Sequence, residues 1–284
     1  MTTNKDVKAI ALIEALPYMK QFSGRIMVIK YGGSLMVDSD LRDRFAHDIV
    51  LLRYIGIKPV IVHGGGKEIT KWMTRLGKKA VFIDGQRFTD SETMELTEMV
   101  LTGKINNEIV ALLNKHGGKA VTLSGKSAAL FKARRIRSKK NEDLGFVGTI
   151  ESVDTQLIHT LCNEGYIPVI SSVGADSEGE TLNLNADNVA GAVARYLACK
   201  KLLYLTDVDG ISVDNQLVSR LSLAQGDALL NHPDIQGGML PKLECSLDAI
   251  REGVESVHII NGTTPHAVLL ELFTNRGVGT MITA

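Results

Sequence analysis

The sequence predicts an α/β fold around a mainly parallel sheet covered on both faces. Two observations predict it. Short apolar runs of strand length alternate with helix-patterned stretches almost to the C-terminus. The runs are apolar nearly throughout, as strands covered on both faces are. RIMVIKY (25–31) reads as the first strand, followed by Leu41, Phe45, Ile49 and Leu52 on one helix face, with Gly56 as the stop. KPVIVH (58–63) is the second, with a helix to about Gly77. Two helical segments over roughly 91–116 lead to KAVTL (119–123), and YIPVISSV (166–173), KLLYLT (201–206) and VHII (257–260) repeat the arrangement. The charged stretch 126–152, with Gly145 and Gly148, breaks the alternation and reads as a β-hairpin insertion, while DSEGET (176–181) reads as a turn. A lobe boundary near residue 180 follows, dividing 23–180 from 181–284. Residues 1–22 precede the first strand, and VKAIALIEALPYMKQF within them predicts an amphipathic helix, bent or broken at Pro17. That helix either packs on its own subunit or reaches another as an arm.

Composition narrows the function. The 284 residues carry 32 Lys plus Arg against 32 Asp plus Glu, so no global basic field exists to hold nucleic acid. The basic stretch Lys132–Lys140 reads as a solvated hairpin. Cys162, Cys199 and Cys245 are widely spaced and odd in number, which argues against a disulfide framework or zinc ribbon and for a reducing compartment. No apolar stretch approaches transmembrane length, and Lys5, Asp6, Lys8 and Glu14 interrupt what a signal peptide keeps apolar. The expectation is a cytoplasmic protein that uses neither membrane nor nucleic acid.

Several strand exits share a chemistry. The first strand carries Lys30 into Gly32-Gly33, the second runs into His63-Gly64-Gly65-Gly66, and KLLYLT runs into Asp207-Val208-Asp209-Gly210. In an open α/β sheet these carboxyl ends lie along one edge, where ligands bind. Glycine lets the backbone approach a ligand, and helix N-termini offer free N–H groups to an anion, so a phosphate-bearing ligand is expected. Lys242, in GGMLPKLE, falls in a first helical turn, where a cation opposes the dipole unless an anion sits there. Asp187, in LNLNADNVAGAVA, reads alone as an N-cap, although Asn183 and Asn185 crowd the same turn. Arg87, on the polar loop DGQRFTD, reads alone as a surface ion-pair residue. AVTLSGKS resembles a P-loop but has Ala120 at the first glycine position; Asp207-x-Asp209-Gly210 puts its glycine too early for an EF-hand; no GxGxxG follows the first strand.

KYGGS, VHGGG, GQRFTD, NLNAD, LTDVDG and GGMLPK occur in that order between residues 30 and 242, with VHIINGTTPHAVLLELF beyond them. Together they resemble the amino acid kinase family. The resemblance implies a three-layer α/β/α sandwich, with an acyl-amino-acid lobe that also dimerises (23–180), an ATP lobe (181–284) and the helical arm (1–22). It implies a transferase using ATP with Mg²⁺, which phosphorylates the side-chain carboxylate of N-acetyl-L-glutamate to N-acetyl-L-glutamyl 5-phosphate in arginine biosynthesis. Glutamate, aspartate or carbamate kinase activity, or a non-catalytic arginine or nucleotide sensor, are the alternatives. By the same resemblance Lys30 and Lys242 stabilise the migrating phosphoryl group and Asp187 orients them. Gly65, Gly66, Arg87 and Asn183 bind the acceptor. Gly32, Gly33, Asp207, Val208, Asp209, Gly210, Ile211, Ser212, Gly237 and Gly238 frame the nucleotide. L-arginine enters as an inhibitor, with Lys201, His266 and Glu271 as its candidate site. Homo-oligomers are implied, a dimer or a hexamer built as a trimer of dimers; whether a PII-type signalling protein binds is left open. Phe88 stands where the family loop carries a small aliphatic residue, and Ser127 where an acidic one is common.

The acceptor carboxylate, with a reference pKa near ~4.3, is ionised at neutral pH, so no general base is needed. The obstacle is repulsion between two anions, and fixed cations and backbone N–H groups are the chemistry that offsets it.

Overall fold

The computed structural model describes residues 4–284, so Met1, Thr2 and Thr3 of the expected arm lie outside the described residues. The chain opens with α1 (Asn4–Phe22), one helix that continues through Pro17 and is not broken there. Strand β1 (Ile26–Tyr31), α2 (Ser39–Tyr54), β2 (Lys58–His63) and α3 (Gly66–Arg75) follow. A short hairpin, β3 (Phe82–Ile83) and β4 (Gln86–Arg87), leads into α4 (Ser91–Glu98). A π-helical turn over Met99–Ile105 then joins α4 to α5 (Asn106–Lys115). After β5 (Ala120–Leu123) the charged insertion forms the expected hairpin, β6 (Phe131–Arg137) and β7 (Asp143–Val153). Next come α6 (Gln156–Asn163), β8 (Ile167–Ser171), β9 (Val173–Ala175), β10 (Thr181–Leu184), α7 (Ala186–Tyr196) and β11 (Lys201–Thr206). The last quarter holds β12 (Ser212–Val213), β13 (Gln216–Leu217), β14 (Arg220–Ser222), α8 (Leu223–Leu229), α9 (Met239–Arg251), β15 (Ser256–Asn261), α10 (Ala267–Phe273) and β16 (Thr280–Thr283).

Eight strands make the central sheet in the order β14-β16-β15-β11-β1-β2-β8-β5. Every pairing in it is parallel except β15 with β16. Strands from before residue 180 occupy one half and strands from after it the other, meeting where β1 pairs with β11 and Lys30 lies opposite Tyr204. The core divides by sheet face instead. Val28, Val60, Val62, Leu202, Tyr204 and Val257 point into one layer, under α6, α7 and α9. Met27, Ile29, Ile61, Leu203, Leu205 and Ile260 point into the other, under α1, α2, α5 and α10. This is the period of two expected of strands buried on both faces. A separate four-stranded barrel, β10-β7-β6-β9, closes on itself where β9 pairs with β10 and stands beside the end of β8. Among the described residues no helix is long and apolar enough to cross a membrane.

Candidate active site

A cavity of about 270 Å³ opens at the carboxyl edge of the sheet, lined by the ends of β1 and β2, the β3–β4 hairpin, β10 and the start of α7. Lys30 reaches it because the β1 side chains alternate between the two core layers, and Lys30 is the last of its set before the strand runs into Gly32 and Gly33. Its Nζ lies 3.0 Å from Oδ1 of Asp187. The Nζ of Lys242, from the first turns of α9, lies 2.7 Å from the other oxygen, Oδ2. The three side chains are only 11–15% exposed, so the group carries a net single positive charge largely out of water. Burial alone would raise the Asp187 carboxyl, but Lys30 and Lys242 outweigh it and hold the group below its ordinary value as an anion.

Asp187 is free for this work because it is not the N-cap that its sequence position suggests. Asn185 caps α7, its Oδ1 accepting from the N–H groups of Asp187 at 2.8 Å and Asn188 at 3.3 Å. The carboxylate in the next turn is left to face the lysines. Below it, the buried Tyr204 hydroxyl donates to the main-chain carbonyl of Asp187 at 3.0 Å. Nothing in the pattern of KLLYLT distinguishes that tyrosine from a core residue.

The opposite wall is a guanidinium. Arg87 is 7% exposed, and Cζ sits 4.8 Å over the Phe82 ring. Nη2 donates to Gly66 O at 2.9 Å and Thr70 Oγ1 at 2.7 Å, and Nη1 contacts Met73 Sδ at 3.2 Å. Burial pushes its pKa down, and among the described residues no carboxylate pairs with it. The surface ion-pair reading of Arg87 is therefore corrected: its charge is retained inside a pocket without a protein counter-ion. Asn183, on β10, lines the same cavity and donates to Thr89 Oγ1 at 3.2 Å. Gly65 and Gly66 begin α3 with open N–H groups. A Cβ at Gly65 would meet Ile105 Cδ1 at 2.3 Å and Leu101 Cδ2 at 2.6 Å on the π-helical turn, so a side chain there would displace both. Gly33 has φ +73°, and a Cβ there would meet Asp207 Oδ1 at 2.6 Å.

The remaining expected residues separate. Asp207 lies beside Gly33, with Lys67 Nζ 3.9 Å from its Oδ2. Asp209 accepts from Asn261 at 2.7 Å, the N–H of the buried Ile211 donates to Thr280 Oγ1 at 2.8 Å, Val208 and Ser212 are exposed, and Gly210 has φ +149°. Gly237 and Gly238 lead into α9. None of residues 207–212, 237 or 238 lines the Lys30 cavity.

The three effector candidates are not brought together. Lys201 Nζ is 2.8 Å from His258 Nε2, and His258 Nδ1 is 2.6 Å from Glu271 Oε1. Glu271 Oε2 accepts from the N–H groups of Val278 at 2.6 Å and Gly279 at 3.2 Å. Burial lowers the pKa of both Lys201 and His258. Burial would raise Glu271, yet His258 and the two amides hold it low. Phe22 of α1 covers this group, its ring 5.2 Å from Lys201 Nζ. His266 is elsewhere, with Nδ1 2.6 Å from Asp48 Oδ1 and a left-handed backbone at the start of α10. His258 was missed because VHII reads as plain core strand.

A sequence profile described as the amino acid kinase family matches residues 25–261. The chain belongs to that family, and it is an enzyme, a kinase. It is 51% identical over 279 residues to an acetylglutamate kinase of Desulforamulus reducens, covering 97% of each chain. An acetylglutamate kinase of Methanocaldococcus jannaschii is likewise 51% identical, over 288 residues, covering 97% of this chain and 96% of that one. Among solved structures it resembles N-acetylglutamate synthase from Neisseria gonorrhoeae, complexed with coenzyme A and N-acetyl-glutamate. The TM-score is 0.88 at 29% identity, over 97% of this chain and 63% of that one. The same synthase complexed with coenzyme A and L-arginine gives 0.83 at 26% identity, over 97% of this chain and 65% of that one.

Proposed function

We propose that this enzyme transfers the γ-phosphoryl group of ATP to the side-chain carboxylate of N-acetyl-L-glutamate, forming N-acetyl-L-glutamyl 5-phosphate. The observation that carries the reading is two lysines from distant parts of the chain on opposite oxygens of one buried carboxylate, which lines a cavity together with Lys30. At ~4 Å and an effective dielectric of ~20, each pair of like unit charges costs about 4 kcal/mol. Lys30 and Lys242 offset that repulsion as the phosphoryl group moves, while Asp187 holds both ammonium groups in place between turnovers. Arg87 takes the α-carboxylate of the acceptor, the anion its pocket lacks, and Asn183 with the Gly65 and Gly66 amides holds the rest. The loops 207–212 and 237–238, after β11 and before α9, take the nucleotide in the second lobe, with Gly32 and Gly33 admitting its phosphates. Asp187 is committed to the lysines, so Mg²⁺ enters with ATP, held by phosphate oxygens and water.

ADP release tests this directly, with N-acetylglutamate, glutamate, aspartate and carbamate offered in turn with Mg-ATP. N-acetylglutamate alone should support turnover. Turnover with another acceptor and none with N-acetylglutamate reassigns the substrate, and silence with all four favours a sensor.

Arginine inhibition belongs to the same proposal. A structural relative solved with L-arginine supports it. The apolar residues Ile10, Leu12, Ile13 and Leu16, exposed on α1, support the arm as a contact between subunits of a hexamer.

A further inference from the structure

His63 closes β2 and is fully buried beneath the glycines that line the cavity. Its Nδ1 lies 3.0 Å from the carbonyl oxygen of Gly64. A carbonyl only accepts, so Nδ1 carries the hydrogen. Burial pushes the imidazole pKa down to about 4, which leaves Nε2 bare at neutral pH. The Gly64–Gly65 peptide is trans and planar, so its carbonyl and its N–H point in opposite directions. Donation to the carbonyl from the buried side therefore turns the Gly65 N–H away from the core, toward the cavity.

The far side of the ring is incomplete. Nε2 has no partner, and neither has Oδ1 of the neighbouring Asn106, which is 1% exposed. Asn106 cannot resolve this by turning its amide, because its Nδ2 already donates to Leu123 O at 2.8 Å. It stands close enough to the ring to favour the protonated imidazole. A neutral ring thus has one N–H, spent on Gly64 O, and a bare Nε2 in a buried setting. Asn106 also begins α5, directly after the π-helical turn whose Leu101 and Ile105 pack on Gly65. Loop, ring and helix form one unit.

We propose that His63 is a positioning residue for the acceptor: its Nδ1–H tautomer locks the Gly64–Gly65 peptide with the N–H toward the anion, and moving that hydrogen to Nε2 unlocks it. No bond to substrate is involved; one proton changes nitrogen, and Gly64 O loses its hydrogen bond to the ring. The inference rests on the acceptor reading above.

Two amide variants separate the nitrogens, since asparagine carries its N–H near the Nδ1 position and glutamine near Nε2. In His63→Gln the KM for N-acetylglutamate should rise about tenfold, while the KM for ATP and the Tm match those of His63→Asn. His63→Asn should stay within about threefold of the natural enzyme in both KM values. Equal acceptor KM values in the two variants, or a loss shared between both substrates, would overturn the proposal. Imidazole ¹⁵N NMR of the unaltered full chain gives an arm that needs no variant to fold and no acceptor. A protonated Nδ1 with a bare Nε2 is expected for His63, and the reverse tautomer refutes the lock. Failure of the natural enzyme to turn over N-acetylglutamate strikes the acceptor reading alone.

Discussion

Two lysine–carboxylate groups stand at opposite ends of the central sheet. At the carboxyl edge, Lys30 and Lys242 share Asp187, leaving one positive charge unmatched beside a cavity. At the other end, where β11 and β15 begin, Lys201 and Glu271 are matched one for one, with His258 between them donating to the acid and accepting from the base. The second group is balanced and stands as part of the fold. The first is short of one negative charge, which the phosphoryl group of the proposed reaction would supply. Charge surplus, more than burial or hydrogen-bond count, distinguishes the site from the strut.

Substitutions that change the surplus should hit turnover. Lys30→Met or Lys242→Met is expected to lower kcat by about 10²–10³-fold with little change in either KM. Steady-state kinetics showing near-natural kcat in both would end the distinction. Substitutions in the balanced group should hit stability instead. Glu271→Gln leaves Lys201 half-buried without its anion and should cost about 3 kcal/mol in urea unfolding. The pH dependence sharpens this. The Glu271 carboxyl is held below 4.5 and the His258 imidazole below 6.5 in the fold, so the unfolded chain binds more protons in acid. Both contributions are present above pH 6.5; that of His258 is lost as pH falls below it, and that of Glu271 below 4.5. Glu271→Gln should lose the lower part of that slope, and an unchanged profile would show that the group is not balanced as described. Smallest is Tyr204→Phe, which removes the donor to the Asp187 carbonyl. It should lower kcat by about fivefold and leave both KM values in place. A fall in Tm alone would make the hydroxyl part of the strut.

How much was legible follows the same division. Strands buried on both faces announce themselves by composition, so β1, β2, β8, β11 and β15 fall where their apolar runs lie. The polar signature of the site was visible too, because Lys30, Gly65 and Asp187 interrupt otherwise apolar or small-residue patterns. What escaped were pairings between distant segments. His266 stands five positions from Glu271 in sequence, yet it sits at the left-handed start of α10 and turns to Asp48 on α2. His258, thirteen positions from Glu271, meets it across the layer between β15 and α10. The π-helical turn at Met99–Ile105 was illegible for another reason: it widens the helix by one residue without altering its apolar face. Asn185 displaced Asp187 as the cap because two residues of equal capping propensity stood two apart, and only backbone geometry selects between them.

The junction of β1 with β11 has a mechanical corollary. The two halves of the chain abut there along unbroken main-chain hydrogen bonds, and side chains from both fill the layers above and below. Such halves cannot swing apart like the leaves of a clam without tearing that ladder. Any closing of one half toward the other must be absorbed as torsion of the shared strand pair. Lys30 and Tyr204 lie opposite each other on that pair, so wringing it would swivel the ammonium and the support of its carboxylate together.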